Sequence, residues 1–298
     1  MIHNVSIENF RALRSVRARL RPLNVLVGPN DSGKTSFLEA IDFFANQRNI
    51  QREDWWREEE AAQVDLRTKQ GHSFDGHVAL FKLPSEGIPM CSPGIPDERH
   101  RGAPHLQANG SHLGAFLDYL LRKDRKRYDQ IQHSLRQLVP GLEEVVISTP
   151  SSDSRAVTLV IEKGYEIPGD RLSTGVRMLF FFVALAHHPD PPDVVLIEEP
   201  ENGVHPKRLK EIVELLRGLS HGELSGHPVQ VILSTHSPYL LDHIRLPEDQ
   251  VLVFTREVDG QRTAQEADDQ RLKAFLDEFM LGEVWFNQGE EGLVTSSR

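Results

Sequence analysis

Residues 28–35 have the composition of a phosphate-binding loop. They fit the pattern G-x-x-x-x-G-K-[ST], after an apolar run at 24–27 that is typical of a strand and before a stretch with helical periodicity. Glycines let backbone N–H groups turn toward phosphate oxygens, and a helix that begins at the loop directs its positive end at the same anion. The residues expected to bind a nucleotide are Gly28, Pro29, Asn30, Asp31, Ser32, Gly33, Lys34, Thr35 and Ser36.

Two residues of this loop carry specific chemistry. We expect the Lys34 ammonium to reach the β- and γ-phosphates and to assist catalysis there, and the Thr35 hydroxyl to hold Mg²⁺. The metal would neutralise the phosphate charge that Lys34 alone cannot neutralise. The alternative interpretation of the segment is a chance glycine-rich turn.

Two more apolar runs, 193–197 and 229–233, end in polar side chains. Because the ligands of open parallel sheets lie beyond the carboxyl ends of the strands, we expect these side chains to join the phosphate loop. Successive side chains on a strand alternate in direction, so Glu198 is assigned to Mg²⁺, directly or through water, and Glu199 to the general base. An acidic surface turn is the alternative for this pair of carboxylates.

The run 229–233 leads to His236, which stands just before Ser237 and Pro238, a pair typical of a helix start. In this position His236 could donate a hydrogen bond to the γ-phosphate or to the attacking water. A purely structural histidine is the alternative.

Composition narrows the class of protein. The 298 residues carry a formal net charge of -10, which argues against a generally basic nucleic-acid binder. The one cysteine, Cys91, excludes an intrachain disulfide and a cysteine zinc cluster, and it fits a reducing compartment. There is no signal-peptide pattern, and the longest apolar run, 178–186, is too short to cross a bilayer. We therefore expect a soluble cytoplasmic protein without a membrane partner.

Two local basic stretches each allow two interpretations. The first contains Arg11, Arg14, Arg17, Arg19 and Arg21, and the second spans residues 122–127. A solvated face is the simpler interpretation of both, and a contact with nucleic acid is the alternative.

Periodicity places the elements that must position these groups. Strands are predicted at 2–8, 15–20, 24–27, 145–148, 156–162, 193–197, 229–233 and 250–255, with a hairpin made of 64–66 and 74–83 and another turning at Asp259 and Gly260. Helices are predicted after the phosphate loop as far as Asn46, at 113–138 with an interruption by the charge run, at 178–186, at 207–219 and at 269–280. An extended loop is expected at 84–110. Strands that alternate with helices predict an α/β domain with a largely parallel sheet.

Several of these segments together resemble a known family. They are residues 28–35; Leu172, Ser173, Thr174 and Gly175; residues 197–202 (I-E-E-P-E-N); residues 235–238 (T-H-S-P); residues 7–11 (I-E-N-F-R); and residues 281–285 (L-G-E-V-W). Their order is similar to that in the ABC-type ATPase heads of the RecF/SMC/OLD group, above all the small AAA-like (AAA_21-type) ATPases that lack a nuclease domain.

The resemblance implies a P-loop NTPase fold, with an ABC-ATPase-like, mostly parallel sheet, an N-terminal antiparallel β portion and an inserted helical lobe. The chain would form a single head over 1–298. Residues 1–48 and 165–298 would make the nucleotide-binding core, and 49–164 would be the inserted hairpin, loop and helices.

The resemblance also implies a mechanism. Ser173 and Gly175 would bind the γ-phosphate of ATP held by a second subunit, so that two heads close head to tail around two nucleotides with Mg²⁺ as the metal. The cycle would switch a partner in DNA repair or antiviral defence, either nucleic acid or a separately encoded effector such as a nuclease. A simple N-cap role is the alternative for Ser173.

The sequence departs from the pattern of the family in three places. Glu198 stands where most such heads have Asp, residues 202–205 lack the Asp usual in the D-loop, and neither Gln63 nor Gln70 can be singled out as the Q-loop glutamine. The chain ends where OLD proteins begin their nuclease domain, so no nuclease is expected here.

Three other functions compete with an ATP hydrolase. Because residue 198 is Glu and not the usual Asp, a non-hydrolysing, ATP-sensing scaffold is one alternative. A transporter nucleotide-binding subunit is disfavoured by Val176 and Arg177 after the signature and by Glu201 and Asn202 in the segment that follows the acidic strand. A small-molecule kinase would not need Ser173 or His236 where they are.

Overall fold

The computed structural model describes residues 1–48, 51–56, 61–94, 102–256, 261–267, 272, 276 and 279–294. Two compact units share the chain. The first unit comprises Met1–Leu80, Pro192–Glu201 and Pro228–Arg298, and the second comprises Phe81–Pro191 and Asn202–His227.

The described strands and helices follow the chain in this order. The strands are β1 (Asn4–Phe10), β2 (Leu13–Arg19), β3 (Leu23–Val27), β4 (Gln63–Arg67), β5 (Val78–Lys82), β6 (Cys91–Pro93), β7 (Leu142–Ser148), β8 (Ser154–Ile161), β9 (Tyr165–Pro168), β10 (Val194–Glu198), β11 (Gln230–Ser234), β12 (Gln250–Arg256) and β13 (Arg262–Glu266). The helices are α1 (Lys34–Ala45), α2 (Leu113–Lys123), α3 (Arg125–Leu138), α4 (Thr174–Ala186), α5 (Leu209–His221), α6 (Pro238–Leu241) and α7 (Leu281–Gln288).

The main sheet has the strand order β13-β12-β3-β11-β10-β5. The pairs β10–β11, β11–β3 and β3–β12 are parallel, and β13 is antiparallel to β12. Every residue of β3 and of β11 is buried, which explains why these strands read as continuous apolar runs and not as alternating ones. The predicted largely parallel sheet is confirmed.

A second sheet in the first unit is antiparallel, with the order β2-β1-β4. Its inward residues, among them Val5, Ile7 and Val16, join one apolar core with Phe37 and Ile41 of α1. This sheet is the N-terminal antiparallel portion that the resemblance implied.

The prediction that residues 64–66 and 74–83 form a hairpin is wrong. Strands β4 and β5 both form, but β4 pairs with β1 in the antiparallel sheet and β5 lies at the edge of the main sheet. The two segments do contact each other locally. The N–H of Phe74 donates a hydrogen bond to the Leu66 carbonyl, and Arg67 forms an isolated β-bridge with Ser73. Each strand has its principal partner far along the chain.

The second unit contains helices α2 to α5 and a sheet of β6, β8 and β7, to which β9 adds by pairing with β8. Helix α4 packs against α2, α3 and α5, and its residues 178–186 are all buried. The helical stretch predicted for 113–138 is confirmed as two helices, and Asp124 in the predicted charge run is the N-cap of the second.

Two expectations concern residues that are described only in part. Strand β13 returns antiparallel to β12, as the predicted hairpin requires, but the turn residues 257–260 lie outside the described residues. Most of the helix predicted at 269–280 also lies outside them. Among the described residues no helix combines the length and apolar character needed to span a membrane.

Candidate functional site

The loop after β3 requires glycine at both ends. Gly28 has φ 145°, and a Cβ placed there would lie 2.2 Å from the backbone oxygen of Phe254. Gly33 has φ 102°, and its Cβ would lie 2.6 Å from Cδ2 of Leu13. Since only glycine adopts these angles without strain and leaves this space empty, the loop can curl tightly around an anion at the start of α1.

Lys34 points back into this loop. Its Nζ donates hydrogen bonds to the carbonyl oxygens of Gly28 at 2.8 Å and Pro29 at 2.9 Å. Burial lowers the pKa of Lys34 to about 8, and the carboxylates of Glu199 and Glu201 oppose that shift. The ammonium is thus held in a site of low solvent access with acidic neighbours.

Ser32 and Thr35 supply hydroxyl groups on the same loop. The Oγ of Ser32 is buried and has no hydrogen-bond partner among the residues that the structure describes. The Thr35 hydroxyl donates a hydrogen bond to Oε1 of Glu198, the last residue of β10. A hydroxyl and a carboxylate oxygen side by side are hard oxygen donors of the kind that Mg²⁺ prefers.

Glu199 turns away from its neighbour Glu198. Its backbone is left-handed, with φ 48°, an uncommon conformation for a residue with a side chain. Its Oε1 lies 2.9 Å from Nε2 of His236, just beyond β11. The two adjacent carboxylates therefore face different partners, but the cause is the left-handed turn at Glu199 beyond the end of β10 and not the strand alternation used in the prediction.

The pKa of His236 is lowered. Burial is the main cause, and the nearby Lys34 cation acts in the same direction, whereas Glu199 opposes them. The lowered pKa favours a neutral imidazole near pH 7, which can both donate and accept a hydrogen bond.

Glu201 is a part of the site that sequence reasoning did not assign. Its Oε1 accepts hydrogen bonds from the Thr235 hydroxyl at 2.6 Å and from the backbone N–H of His236 at 2.9 Å. Burial raises the pKa of this carboxyl, and its buried Oε2 has no hydrogen-bond partner in the described part of the chain. The signal in the sequence is its place in the segment 197–202 (I-E-E-P-E-N), to which no separate role for Glu201 was assigned.

These groups surround a cleft of about 460 Å³, which we call the nucleotide cleft, and its volume is within the range of ligand sites. It is lined by Ala12, Asn30, Asp31, Ser32, Gly33, Lys34, Thr35, Ser36, Glu199, Ser234, His236 and Arg262. Ala12, Ser234 and Arg262 were not predicted, because the residues assigned to the nucleotide or the metal do not include them. Neither Gln63 nor Gln70 is among the lining residues.

Ser173 and Gly175 belong to the second unit. Ser173 is the N-cap of α4, and its Oγ accepts a hydrogen bond from the Val176 N–H at 3.4 Å. Gly175 lies close to the segment after the acidic strand, since a Cβ on it would be 3.7 Å from the Gly203 carbonyl oxygen. The signature and the segment in the D-loop position therefore pack together within this unit.

The described residues contain no group of three or more His, Cys, Asp or Glu side chains arranged to hold a metal. A protein-only metal cage is thus not found in this part of the chain. The pairing of one hydroxyl with one carboxylate at Thr35 and Glu198 is instead typical of a site that shares its Mg²⁺ with phosphate oxygens.

Comparison with protein families agrees with this geometry. The model described as "AAA domain, putative AbiEii toxin, Type IV TA system" (AAA_21) matches residues 89–242, more than half of the chain. A second model, AAA ATPase domain (AAA_15), matches residues 1–82, which include the phosphate loop.

One curated relative is the OLD nuclease of Thermus scotoductus, which is 25% identical over 320 residues. The match covers 81% of this chain but 60% of the relative, so the chain spans little more than half of that protein.

Among solved structures, the chain is similar to an Smc head bound to the C-winged helix domain of ScpA, with a TM-score of 0.59, 11% identity and coverage of 89% and 97%. It is also similar to a Pyrococcus furiosus Smc head bound to the C-terminal domain of ScpA, with a TM-score of 0.55, 12% identity and coverage of 93% and 98%. The fold is thus that of SMC heads. The chain belongs to the AAA_21 family and is a P-loop ATPase head of the RecF/SMC/OLD group.

Proposed function

We propose that this protein is a Mg²⁺-dependent ATP hydrolase of the cytoplasm that dimerises head to tail on ATP and uses the cycle to switch a partner. The observation that carries the proposal is the pairing of Thr35 with Glu198 and of His236 with Glu199 beside Lys34. A site that only bound nucleotide would need the loop and the metal ligands, but not a carboxylate–imidazole pair next to them.

The loop fits a triphosphate. Glycine at 28 and at 33 lets the loop pass close to the Phe254 carbonyl and the Leu13 side chain, and the Ser32 hydroxyl, which has no partner among the described residues, offers a donor there. Lys34 would exchange the carbonyls of Gly28 and Pro29 for the β- and γ-phosphates.

Thr35 and Glu198 would hold Mg²⁺, which supplies charge neutralisation on the phosphates when bound. Glu198 carries one more methylene than the Asp usual in such heads. Its carboxylate still reaches the Thr35 hydroxyl. Glu198 is therefore compatible with a metal-side role.

Glu199 and His236 would share the attacking water. The Glu199 carboxylate would accept the proton of that water, and a neutral His236 would donate a hydrogen bond to the water or to the γ-phosphate. The lowered pKa of His236 is compatible with this role, because a neutral imidazole keeps one N–H that can donate a hydrogen bond.

Ser173 and Gly175 would complete the site of a second copy. Ser173 stands at the N-terminus of the 13-residue helix α4, where N–H groups and the helix dipole attract an anion. The Ser173 hydroxyl would leave the Val176 N–H to contact the γ-phosphate. In this proposal the chain acts as a single head, with 1–48 and 165–298 as its nucleotide-binding core and 49–164 as an inserted lobe.

The test is phosphate release with ATP and Mg²⁺, measured together with ATP binding and gel filtration. Glu199→Gln should bind ATP, lose turnover by about 100-fold or more and elute as a dimer with ATP. Ser173→Arg in that background should bind ATP and elute as a monomer.

Two outcomes would contradict parts of the proposal. An ATP-bound monomer of the Glu199 variant would count against the dimer. ATP binding without phosphate release by the unaltered protein would favour the ATP-sensing scaffold. The Glu at position 198, in place of the usual Asp, would then explain the absence of hydrolysis.

The partner is a separate proposal. The OLD nuclease relative supports a link to a nuclease effector, and the Smc heads bound to ScpA domains support a protein partner. DNA repair or antiviral defence would be the setting, and nucleic acid is an alternative partner. Purification of the Glu199 variant from its native host, with bound protein and nucleic acid identified together, would decide. A dimer that carries neither would overturn the partner proposal.

A further inference from the structure

Residues 281–292, which we call the C-terminal segment, contain a motif to which the proposed function gives no role. The segment opens with α7, which begins against α6. A Cβ on Gly282 would lie 2.0 Å from the Pro238 carbonyl oxygen, so only glycine lets the two helices approach this closely. The Gly282 N–H also donates a hydrogen bond to Oδ1 of Asp242 at 2.9 Å. Because α6 begins two residues after His236, the start of the segment is fixed next to that histidine.

The end of the C-terminal segment lies on the other side of the phosphate loop. After α7, Glu290–Gly292 form a single turn of 3₁₀ helix that contacts β12. The carbonyl oxygen of Phe254 in β12 is the atom that the Gly28 backbone approaches. Strand β3, which leads into the loop, lies between β11 and β12. The segment therefore reaches from the β11 side, where His236 lies, to the β12 side.

Glu290, the first residue of this turn, is one of four carboxylates whose charge acts on Lys34. Burial lowers the pKa of Lys34, and the charges of Glu199, Glu201, Glu290 and Glu198 oppose that shift. Because a Coulomb interaction weakens with distance, the Glu290 carboxylate must lie in the neighbourhood of the ammonium to act on it. The C-terminal segment thus contributes to the electrostatics of the phosphate loop.

Glu290 is held more weakly than two of the other carboxylates. Among the residues that the structure describes, its side chain has one hydrogen-bond donor, Nε1 of Trp285, at 3.3 Å from Oε1. This contact is longer than the range of about 2.7–3.2 Å that is usual for an N–H···O hydrogen bond. Glu201, by contrast, accepts two shorter hydrogen bonds, and Glu199 pairs with His236 at 2.9 Å.

We propose that Glu290 is a phosphate sensor of the nucleotide cleft: a triphosphate bound at Lys34 expels its carboxylate, the contact with Trp285 breaks, and the C-terminal segment changes conformation. Phosphate oxygens at Lys34 repel the carboxylate that faces the same ammonium in the free protein. A ligand shifts a conformational equilibrium only if it interacts differently with the two states, and this repulsion supplies the difference. The proposal rests on the proposed function and adds a regulation of the same site.

The affinity for ATP tests the repulsion. Because coupling between two equilibria is reciprocal, a carboxylate that ATP expels also weakens ATP binding. Glu290→Gln keeps an oxygen for the Trp285 N–H and removes the charge, so it should bind Mg²⁺-ATP about fivefold more tightly in calorimetry. At about pH 6.5 Lys34 is protonated, so its own titration does not contribute. Glu291→Gln removes the same charge from an exposed neighbour and should leave the affinity unchanged.

Fluorine NMR of protein that carries fluorotryptophan tests the conformational change. The chain has three tryptophans, and Trp285→Phe assigns the signal of residue 285. Mg²⁺-ATP should move this signal in the unaltered protein and also in Ser173→Arg, which should bind ATP as a monomer, so that dimerisation is not the cause. The movement should be lost in Glu290→Gln with ATP bound and retained in Glu291→Gln.

The outcomes separate this proposal from the proposed function. Failure of the unaltered protein to bind ATP would remove both. ATP binding with a Trp285 signal that stays in place, or that moves equally in Glu290→Gln, would overturn the sensor and leave the ATP hydrolase intact. Equal tightening of ATP binding in the Glu290 and Glu291 variants would also overturn the sensor, because the effect would then come from net charge.

Discussion

The Oε1 atom of Glu201 accepts a hydrogen bond from the backbone N–H of His236 at 2.9 Å. The same oxygen accepts the Thr235 hydroxyl at 2.6 Å, and the Thr235 Oγ1 accepts the N–H of Ser237 at 3.0 Å. The carboxylate that follows β10 thereby fixes the backbone that follows β11. Because the side chain of His236 meets Glu199, Glu201 acts as a positioning residue for that contact.

Replacement of Glu201 tests this relationship. Glu201→Ala should lower the free energy of unfolding by about 1–3 kcal/mol, because two buried donors lose their acceptor. Glu201→Gln should cost much less, since its amide oxygen can accept both hydrogen bonds. Urea unfolding measures the stability, and the pH profile of phosphate release reports on His236, which should shift in the alanine variant and be restored in the glutamine variant. Equal effects of the two substitutions would contradict the relationship.

Lys34 should make ATP binding take up protons. In the free protein burial lowers its pKa to about 8, and bound phosphate should raise that pKa again because it pairs with the ammonium. Above pH 8 the free lysine is mostly neutral, so binding must add a proton, and affinity should fall as the pH rises. At about pH 8.5 we expect about 0.7 proton per ATP, falling toward zero well below pH 8.

Calorimetry in two buffers of different ionisation enthalpy measures this uptake. Lys34→Arg is the control, because a guanidinium stays charged throughout this range. Uptake of the same size in the arginine variant would assign the proton to another group.

Gly28 should be intolerant of a methyl group for a steric reason. A Cβ there would meet the backbone oxygen of Phe254 at 2.2 Å, and a backbone atom cannot move aside as a flexible side chain can. Gly28→Ala should therefore abolish ATP binding and lower stability by about 2 kcal/mol or more. The matched control is Gly71→Ala, which also has a positive φ, of 82°, but has nothing within 4 Å of its Cβ. Similar losses in both variants would mean that backbone strain, and not the clash, dominates.

The parts of the site that could be predicted come from local sequence. The loop at residues 28–35 and the polar ends of two buried runs are patterns of a few residues, and the parallel sheet brings such ends to one edge. This is why Lys34, Thr35, Glu198, Glu199 and His236 were predicted to meet, and the structure brings them together.

The parts that could not be predicted depend on pairing over long distances. The segments of β4 and β5 look like a hairpin because they are close in sequence, but each belongs to a different sheet. The local pairing of β13 with β12 was predicted, but nothing in the sequence of β13 indicates that Arg262 lines the cleft. Glu201 gains its role from a turn at the end of β10 that periodicity does not reveal.

A buried histidine pair should make the second unit sensitive to acid. His187 and His188 follow α4 and are 4% and 2% exposed. Burial lowers the pKa of each to about 4; the Arg127 cation adds to the shift at His187, whereas at His188 the Pro104 carbonyl opposes it. The His188 ring is stacked on Phe116, with ring centres 4.8 Å apart. Protonation would place a charge in this apolar contact.

The direction of the pH effect follows from the lowered pKa values. Between about pH 6.5 and 4 the unfolded chain binds protons that the folded chain does not, so stability falls as the pH falls. Each histidine should remove about 2 kcal/mol from the free energy of unfolding by about pH 5. His188→Gln, which does not titrate but keeps polar atoms for the Pro104 carbonyl and the Asp190 N–H, should reduce this loss by roughly half.

Urea unfolding followed by circular dichroism at about pH 7 and about pH 5 measures the difference. His133→Gln removes an exposed histidine on α3 of the same unit and should leave the pH dependence unchanged. If the His188 and His133 variants lost equal stability between the two pH values, the acid sensitivity would have to come from other groups. Helix α4 carries Ser173 at its other end. Loss of packing around His187 and His188 at the lower pH should therefore also reduce ATP-dependent dimerisation of the Glu199→Gln variant. The His188→Gln substitution should restore part of that dimerisation.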